Sequence, residues 1–207
     1  MPILSSILEN KIVAILRGAN PTDSLAIARA MLAGGVRVLE ITLNSPDAEN
    51  TIRELVNYMG NEMVIGAGTV LNETAAARAI DSGATFIISP HTDAQVIKMT
   101  KKKGALSIPG AFTPGEILAA HQAGGDIIKI FPAVLGPGYI REILAPLSHI
   151  LLMPTGGINV NNIRQFREAG AAAFGIGNAL FNARDKITSD YLSGITEKAR
   201  QLVSALS

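Results

Sequence analysis

The sequence predicts an α/β fold, a single (β/α)8 TIM barrel over residues 1–207 with a short helix ahead of the first strand. Two observations carry that expectation. Apolar, β-rich runs alternate with amphipathic helical stretches at a spacing of roughly 19 to 26 residues, the rhythm of parallel βα units. There are eight such runs, and eight units in 207 residues match the short end of the barrel's size range. An open doubly wound sheet is the runner-up. Its dinucleotide form wants a Gly-x-Gly-x-x-Gly turn after the first strand, and Arg17-Gly18-Ala19-Asn20-Pro21 does not supply one.

The runs begin near Ile12 (IVAILR), Val38 (VLEITL), Met63 (MVIGAGT), Phe86 (FIISP), Ala105 (ALSIPG), Ile127 (IIKIFP), Leu151 (LLMPTGG) and Ala172 (AAFGIG). Residues 4 to 9 read as a helix closing the barrel's N-terminal end. Helix starts are marked by Pro21-Thr22-Asp23, Ser45-Pro46-Asp47 and Thr113-Pro114-Gly115-Glu116, and helix ends by Gly35, Gly83, Gly104, Gly124 and Gly170. The weakest helix runs from about Tyr139 to Leu144. Another begins near Val160, and a short helical turn follows Gly177-Asn178. Gly66-x-Gly68 is too small a fragment to count as a motif.

Composition excludes several classes. Lys and Arg number 18 against 17 Asp and Glu, and aromatics are 4% with no Trp, so a nucleic-acid-binding face is not expected. Lys101-Lys102-Lys103 reads as a solvated helix end. The absence of cysteine excludes disulfides, thiolate zinc sites and a cysteine nucleophile. Met1 to Lys11 lacks the basic start of a signal peptide, and no run approaches the ~18 apolar residues of a membrane span. A cytoplasmic protein with no membrane partner is expected. Apolar residues reach 48% and charged ones only 17%, which points to burial between subunits.

Lys129 stands inside Ile127-Ile128-Lys129-Ile130-Phe131-Pro132, a run that forms a strand covered on both faces. Desolvation disfavours its ammonium and would leave a free amine able to attack a carbonyl. The competing reading is a lysine whose stem packs while its head reaches water. Glu40 is the second anomaly. Alternation sends Leu39, Ile41 and Leu43 to the helix layer and turns Glu40 inward, where it serves either as a general acid/base or as the partner of Lys129 or Arg17 in a buried ion pair.

In such a barrel the site lies where the strands end, and Arg17, Glu40, Thr69, Ser89, Lys129, Thr155 and Asn178 all fall on that side. Thr155-Gly156-Gly157 closes the seventh strand and Gly175-Ile176-Gly177-Asn178 the eighth, the pair from which barrels often build a phosphate site. His91, His121 and His149 are isolated, with no metal-ligand spacing, so no metal and no cofactor are expected.

Together with Gly34 to Leu43, Gly66-Ala67-Gly68-Thr69-Val70-Leu71, Ile88-Ser89-Pro90, Pro109-Gly110, Lys129 to Ala133 and Pro154 to Ile158, these residues give a pattern covering nearly the whole chain. It resembles the 2-keto-3-deoxy-6-phosphogluconate (KDPG) / 4-hydroxy-2-oxoglutarate (KHG) aldolases, class I enzymes on a (β/α)8 barrel. The resemblance implies Lys129 as the Schiff-base lysine, Glu40 as the catalytic glutamate, Thr69 as a holder of the pyruvate carboxylate and Phe131 as an aromatic beside the lysine. It places Gly156, Gly157 and Gly177 at the phosphate end and implies a homotrimer. Two positions depart from the gluconate-type pattern: Asn44 stands where an arginine meets the substrate carboxylate, and Asn178 where a serine meets the phosphate. Arg17 is then the expected replacement cation. Leu43-Asn44-Ser45-Pro46 looks like the phosphogalactonate relatives, whereas Thr155 looks like the gluconate branch. The expected ligand is a phosphorylated 2-keto acid. A phosphosugar isomerase or epimerase, or a non-catalytic phosphate-binding barrel, would use the same mouth without an imine.

Overall fold

Residues on alternate sides of each run are both buried, and that double coverage makes the runs parallel strands. The computed structural model describes residues 3–207; Met1 and Pro2 lie outside the described residues. In chain order the elements are α1 (Ile3–Asn10), β1 (Ile12–Leu16), α2 (Pro21–Ala33), β2 (Val38–Thr42), α3 (Ala48–Met59), β3 (Val64–Gly68), α4 (Glu73–Asp81), β4 (Phe86–Ile88) and α5 (Ala94–Lys102). They continue with β5 (Leu106–Ile108), β6 (Gly110–Ala111), α6 (Pro114–Gln122), β7 (Ile128–Ile130), α7 (Gly136–Leu144), β8 (Leu152–Pro154), α8 (Ile163–Glu168), β9 (Phe174–Ile176) and α9 (Ser189–Ala205).

The fifth run yields two strands rather than one. Pro109 has no N–H to give to the ladder, so β5 pairs with β4 and β6 pairs with β7. The result is a curled six-stranded sheet, ordered β5-β4-β3-β2-β1-β9, and a three-stranded sheet, β6-β7-β8. Among the described residues, β8 and β9 are linked only by the Thr155–Gly175 bridge and a bond from Ala172 N to Leu152 O at 2.9 Å. The hydrogen-bonded ladder is therefore split in two, where the sequence predicts one closed eight-stranded barrel.

Alternation sorts the core into two bodies. Leu39, Ile41, Ile65, Ala67, Ile128 and Ile130 belong to the cluster between sheet and helices. Val13, Val38, Phe86, Ile88, Ile127 and Met153 form the interior cluster, and fully buried Ile7 of α1 joins them. The N-terminal helix thus closes that end of the sheet. At the other edge, α9 lies so close to α2 that a Cβ on Gly34 would come within 2.4 Å of Ala199 Cβ, and Thr196 Oγ1 donates to Ala30 O at 2.9 Å.

Helix signals are read at their expected places. Thr113 and Glu116 form a reciprocal capping box on α6, Pro21 opens α2, and the five glycines expected at helix ends all have positive φ. The α7 helix starts at Gly136, three residues before Tyr139, and α8 starts at Ile163 because Asn159 and Asn162 first fold back on Gly157 O. Asp47 gives α3 no side-chain cap, since its own backbone is left-handed, with φ 46°.

Candidate active site

Glu40 is 1% exposed and Lys129 is 4% exposed, and both project from strands whose flanking residues face the helices. Burial pushes the Glu40 carboxyl above its ordinary range, and the charges of Lys129 and Arg17 pull it part of the way back. Burial likewise pushes the Lys129 amine below its ordinary value; Glu40 opposes the shift and Arg17 adds to it. The three groups feel one another without pairing. Neither Lys129 nor Arg17 brings a nitrogen within 4.0 Å of the Glu40 carboxylate, and both of its buried oxygens lack a hydrogen-bond partner among the described residues. The ion-pair alternative for Glu40 is thus not what the fold builds. The snorkelling alternative for Lys129 is not favoured either, because the residue as a whole is only 4% exposed and its amine lies 4.9 Å from the centre of the Phe131 ring.

Beside this pair opens a cavity of about 610 Å³ lined by Arg17, Phe131, Thr155, Gly156, Gly157, Gly177 and Asn178 among others. Seven of the expected substrate-binding positions therefore share one space. Gly156 and Gly157 turn with φ 96° and 78°, a conformation that suits glycine and keeps side chains out of the cavity wall. Thr155 is buried, and its hydroxyl lies over Gly175, where a Cβ would come within 2.3 Å of Oγ1. The backbone around Arg17 is fixed on both sides: Gly18 N donates to Ser45 Oγ at 2.8 Å, Ser45 shares a 2.9 Å hydrogen bond with Thr42 Oγ1, and Thr42 reaches Leu16 O at 3.5 Å.

Thr69 is not in that space. It lines a separate cavity of about 470 Å³ with Asn44, Ser45, Asp47, Asn72 and Arg78, between the loops after β2 and β3. Its φ of 55° is unusual for a β-branched residue and is the kind of strain that collects at functional loops. Arg17 and Thr69, expected to meet one carboxylate, thus line different parts of the mouth. Among the described residues that line the Thr69 cavity the one cation is Arg78, which is already bound to Glu49 at 2.8 Å.

Two features were missed by sequence reasoning. Gly68 gives up its side-chain space to the Glu40 carboxylate, which a Cβ there would overlap; the signal was the Gly66-x-Gly68 alternation on one strand face. His121 and His149 stand edge to face with ring centres 5.2 Å apart, not isolated. They come from α6 and from the segment ahead of β8, far along the chain from each other.

A family model for KDPG and KHG aldolase matches residues 3–197. The chain is 38% identical to the probable 2-dehydro-3-deoxy-6-phosphogalactonate aldolase of Rhizobium meliloti (strain 1021), over 84% of this chain and 83% of that one. It is 35% identical to the 2-dehydro-3-deoxy-6-phosphogalactonate aldolase of Escherichia coli (strain K12), covering 85% and 87%, and 34% identical to the KHG/KDPG aldolase of the same strain, covering 87% and 84%. Among solved structures, a native KDPGal structure superposes with a TM-score of 0.89 at 34% identity over 94% of this chain and 93% of that one. A KDPG aldolase from Legionella pneumophila, with pyruvate captured at low pH as a covalent carbinolamine intermediate, gives 0.85 at 27% identity over 96% and 97%.

Proposed function

Because the chain belongs to the KDPG and KHG aldolase family of class I aldolases, we propose that it cleaves 2-keto-3-deoxy-6-phosphogluconate to pyruvate and glyceraldehyde 3-phosphate through an imine on Lys129. The family is one of carbon–carbon lyases, so the isomerase and non-catalytic readings are set aside. The observation that carries the proposal is that Lys129 and Glu40 are both buried residues that form no ion pair, with both Glu40 oxygens lacking a hydrogen-bond partner among the described residues. An amine whose ammonium form is disfavoured by burial adds more readily to a ketone, and a carboxyl raised by burial holds a proton more readily than a free one and can hand it on.

In this reading Lys129 Nζ adds to the C2 ketone. Glu40 passes the protons that let the carbinolamine lose water, and the iminium becomes an electron sink. Glu40 then takes the C4 hydroxyl proton, the C3–C4 bond breaks, and glyceraldehyde 3-phosphate departs. Pyruvate remains as an enamine until protonation at C3 and hydrolysis release it. The turns at Gly156, Gly157 and Gly177 hold the phosphate with backbone N–H groups, Asn178 adds its amide, and Thr155 meets the sugar hydroxyls. Binding energy at that end orients the bond to be cleaved. Arg17, which lines the cavity beside Lys129, holds the carboxylate. Cleavage of 4-hydroxy-2-oxoglutarate to pyruvate and glyoxylate needs the same residues except those at the phosphate end.

The galactonate epimer is the second reading. Asn44 in place of an arginine, and the relatives at 38% and 35% identity, favour it; Thr155 favours the gluconate. We further propose that the eight βα units close into one barrel domain, and that the chain works as a cytoplasmic homotrimer. The surplus apolar surface, with Val134 71% and Leu135 55% exposed, supports assembly. Among the described residues no helix is long and apolar enough to cross a membrane.

Borohydride reduction in the presence of pyruvate, followed by intact mass and peptide mapping, tests the central claim. A single adduct on Lys129 is expected. A folded protein that gives no adduct at saturating pyruvate would end the imine reading.

A further inference from the structure

Nothing among the described residues hydrogen-bonds the Glu40 carboxylate, so its position must be set by shape. The shape comes from β3. Ile65 and Ala67 of that strand face the helices, while Gly66 and Gly68 face the interior and contribute no side chain to it. Each vacated volume has a different occupant. A Cβ on Gly66 would come within 2.4 Å of the Phe86 ring, so that gap is filled by the apolar interior. A Cβ on Gly68 would lie 1.5 Å from Glu40 Oε1, 2.2 Å from Cδ and 2.5 Å from Cγ, so this gap is filled by the outer half of the Glu40 side chain. In the strand register Glu40 is level with Gly66, and Thr42 with Gly68. The carboxylate therefore leans two residues along β3 towards the mouth.

We propose that Gly68 is a positioning residue for Glu40: its bare Cα is the seat in which the carboxylate is held at the depth where it can exchange protons with a substrate bound to Lys129. The proposal rests on the reading of Glu40 as the general acid/base. Any side chain at position 68 expels the carboxylate, either upwards into the mouth or across towards Lys129. Gly68 has no positive φ, so alanine is resisted there by Glu40 and not by the backbone. Gly66→Ala makes a comparable overlap on the same strand face against a core ring, and serves as the control for plain loss of packing.

The test is a double-mutant cycle of Gly68→Ala and Glu40→Ala, with Gly66→Ala alongside. The readouts are kcat for cleavage across pH, trapping of pyruvate on Lys129, and melting temperature. Gly68→Ala should still trap pyruvate and lose about 10²-fold in kcat, the usual worth of a placed general acid/base. The acid limb of its profile should move to lower pH as the carboxylate leaves its buried seat. In the Glu40→Ala background the same change should cost no further activity and no further melting temperature. Gly66→Ala should melt earlier with the pH profile unmoved. An equal loss from Gly68→Ala with and without Glu40, or an unmoved profile, would overturn the proposal. If Gly68→Ala alone fails to fold, recovery of the fold in the double variant supports the seat and failure to recover overturns it. If Glu40→Ala leaves kcat unchanged, the acid/base reading falls by itself, while coupling in melting temperature still reports whether the two residues share the seat.

Discussion

Lys129 Nζ lies 4.9 Å from the centre of the Phe131 ring, at the boundary between the buried strand and the open cavity. Two effects of the ring oppose each other. Its face attracts the ammonium, by about 0.5–1 kcal/mol where water is near, but its bulk keeps water away and so disfavours that ammonium. Burial is the largest cause of the lowered Lys129 pKa, and Phe131 is a ring that stands beside the amine, so removing it is expected to hydrate the ammonium. Phe131→Ala should therefore shift the rate of pyruvate trapping to higher pH and slow it severalfold at neutrality. A shift to lower pH would mean that ring attraction dominates. Lys129→Ala should give no adduct and lose on the order of 10³-fold or more in kcat.

The two buried ionisable groups make stability depend on pH in opposite directions. Glu40 has a folded pKa raised above its ordinary 4.5, so its contribution is full below that value and is lost as pH rises through the folded pKa. Lys129 has a folded pKa lowered from 10.5, so its contribution is full above that value and is lost as pH falls through the folded pKa. Between the two ordinary values the fold carries costs from both. Glu40→Gln should melt higher than the parent at neutral pH, by roughly 2–4 °C for each kcal/mol relieved, with the gain vanishing in acid below the ordinary carboxylate pKa. A gain that is the same at every pH would assign it to packing.

Lys129 and Glu40 were legible because each breaks an apolar, β-branched run, and a charge in such a run needs a reason that sequence alone can state. The convergence of Arg17, Thr155, Gly156, Gly157, Gly177 and Asn178 on one cavity followed from the rule that strands of a parallel fold end on the same side. The separation of Thr69 from Arg17 was not legible, since it lies in how the loops after β2 and β3 meet, and the left-handed φ at Thr69 is one that a β-branched residue seldom adopts. Gly68 was overlooked for a different reason. A missing side chain has meaning only through the cross-strand neighbour that fills its space, and Glu40 is 28 residues away in the chain. The edge-to-face meeting of His121 and His149 likewise comes from packing of distant segments and left no local pattern.

Arg17 is held by its neighbours' backbone bonds, and Ser45 is the centre of that arrangement. Arg17→Ala should weaken pyruvate binding by about 10- to 100-fold, the worth of a charge-assisted hydrogen bond of 1.5–3 kcal/mol. Ser45→Ala should weaken it less, since the guanidinium survives while Gly18 N loses its acceptor. Titration of pyruvate against both variants, watched by imine trapping, checks the order. If Arg17→Ala leaves pyruvate binding intact and instead raises KM only for phosphorylated substrates, the cation serves the phosphate, in line with the glycine turns that share its cavity.

Thr155 separates the two epimers most directly. Its hydroxyl is confined between the cavity and Gly175, and among the described residues its one acceptor is Met153 O at a long 3.4 Å, so the Oγ1–H is available to a substrate hydroxyl. The gluconate and galactonate substrates differ at one hydroxyl-bearing carbon. A site that hydrogen-bonds a hydroxyl discriminates strongly when that partner is removed, because the buried group is left unpaired. Thr155→Val keeps the shape and removes the hydroxyl. It should lower kcat/KM for the phosphogluconate substrate by about tenfold or more, equivalent to roughly 1.4 kcal/mol, and leave the phosphogalactonate value within a factor of about two. Steady-state comparison of both substrates with both proteins decides the matter: a parallel fall for the two epimers would make Thr155 a packing residue of the junction between β8 and β9, and a selective fall for the galactonate would reverse the assignment.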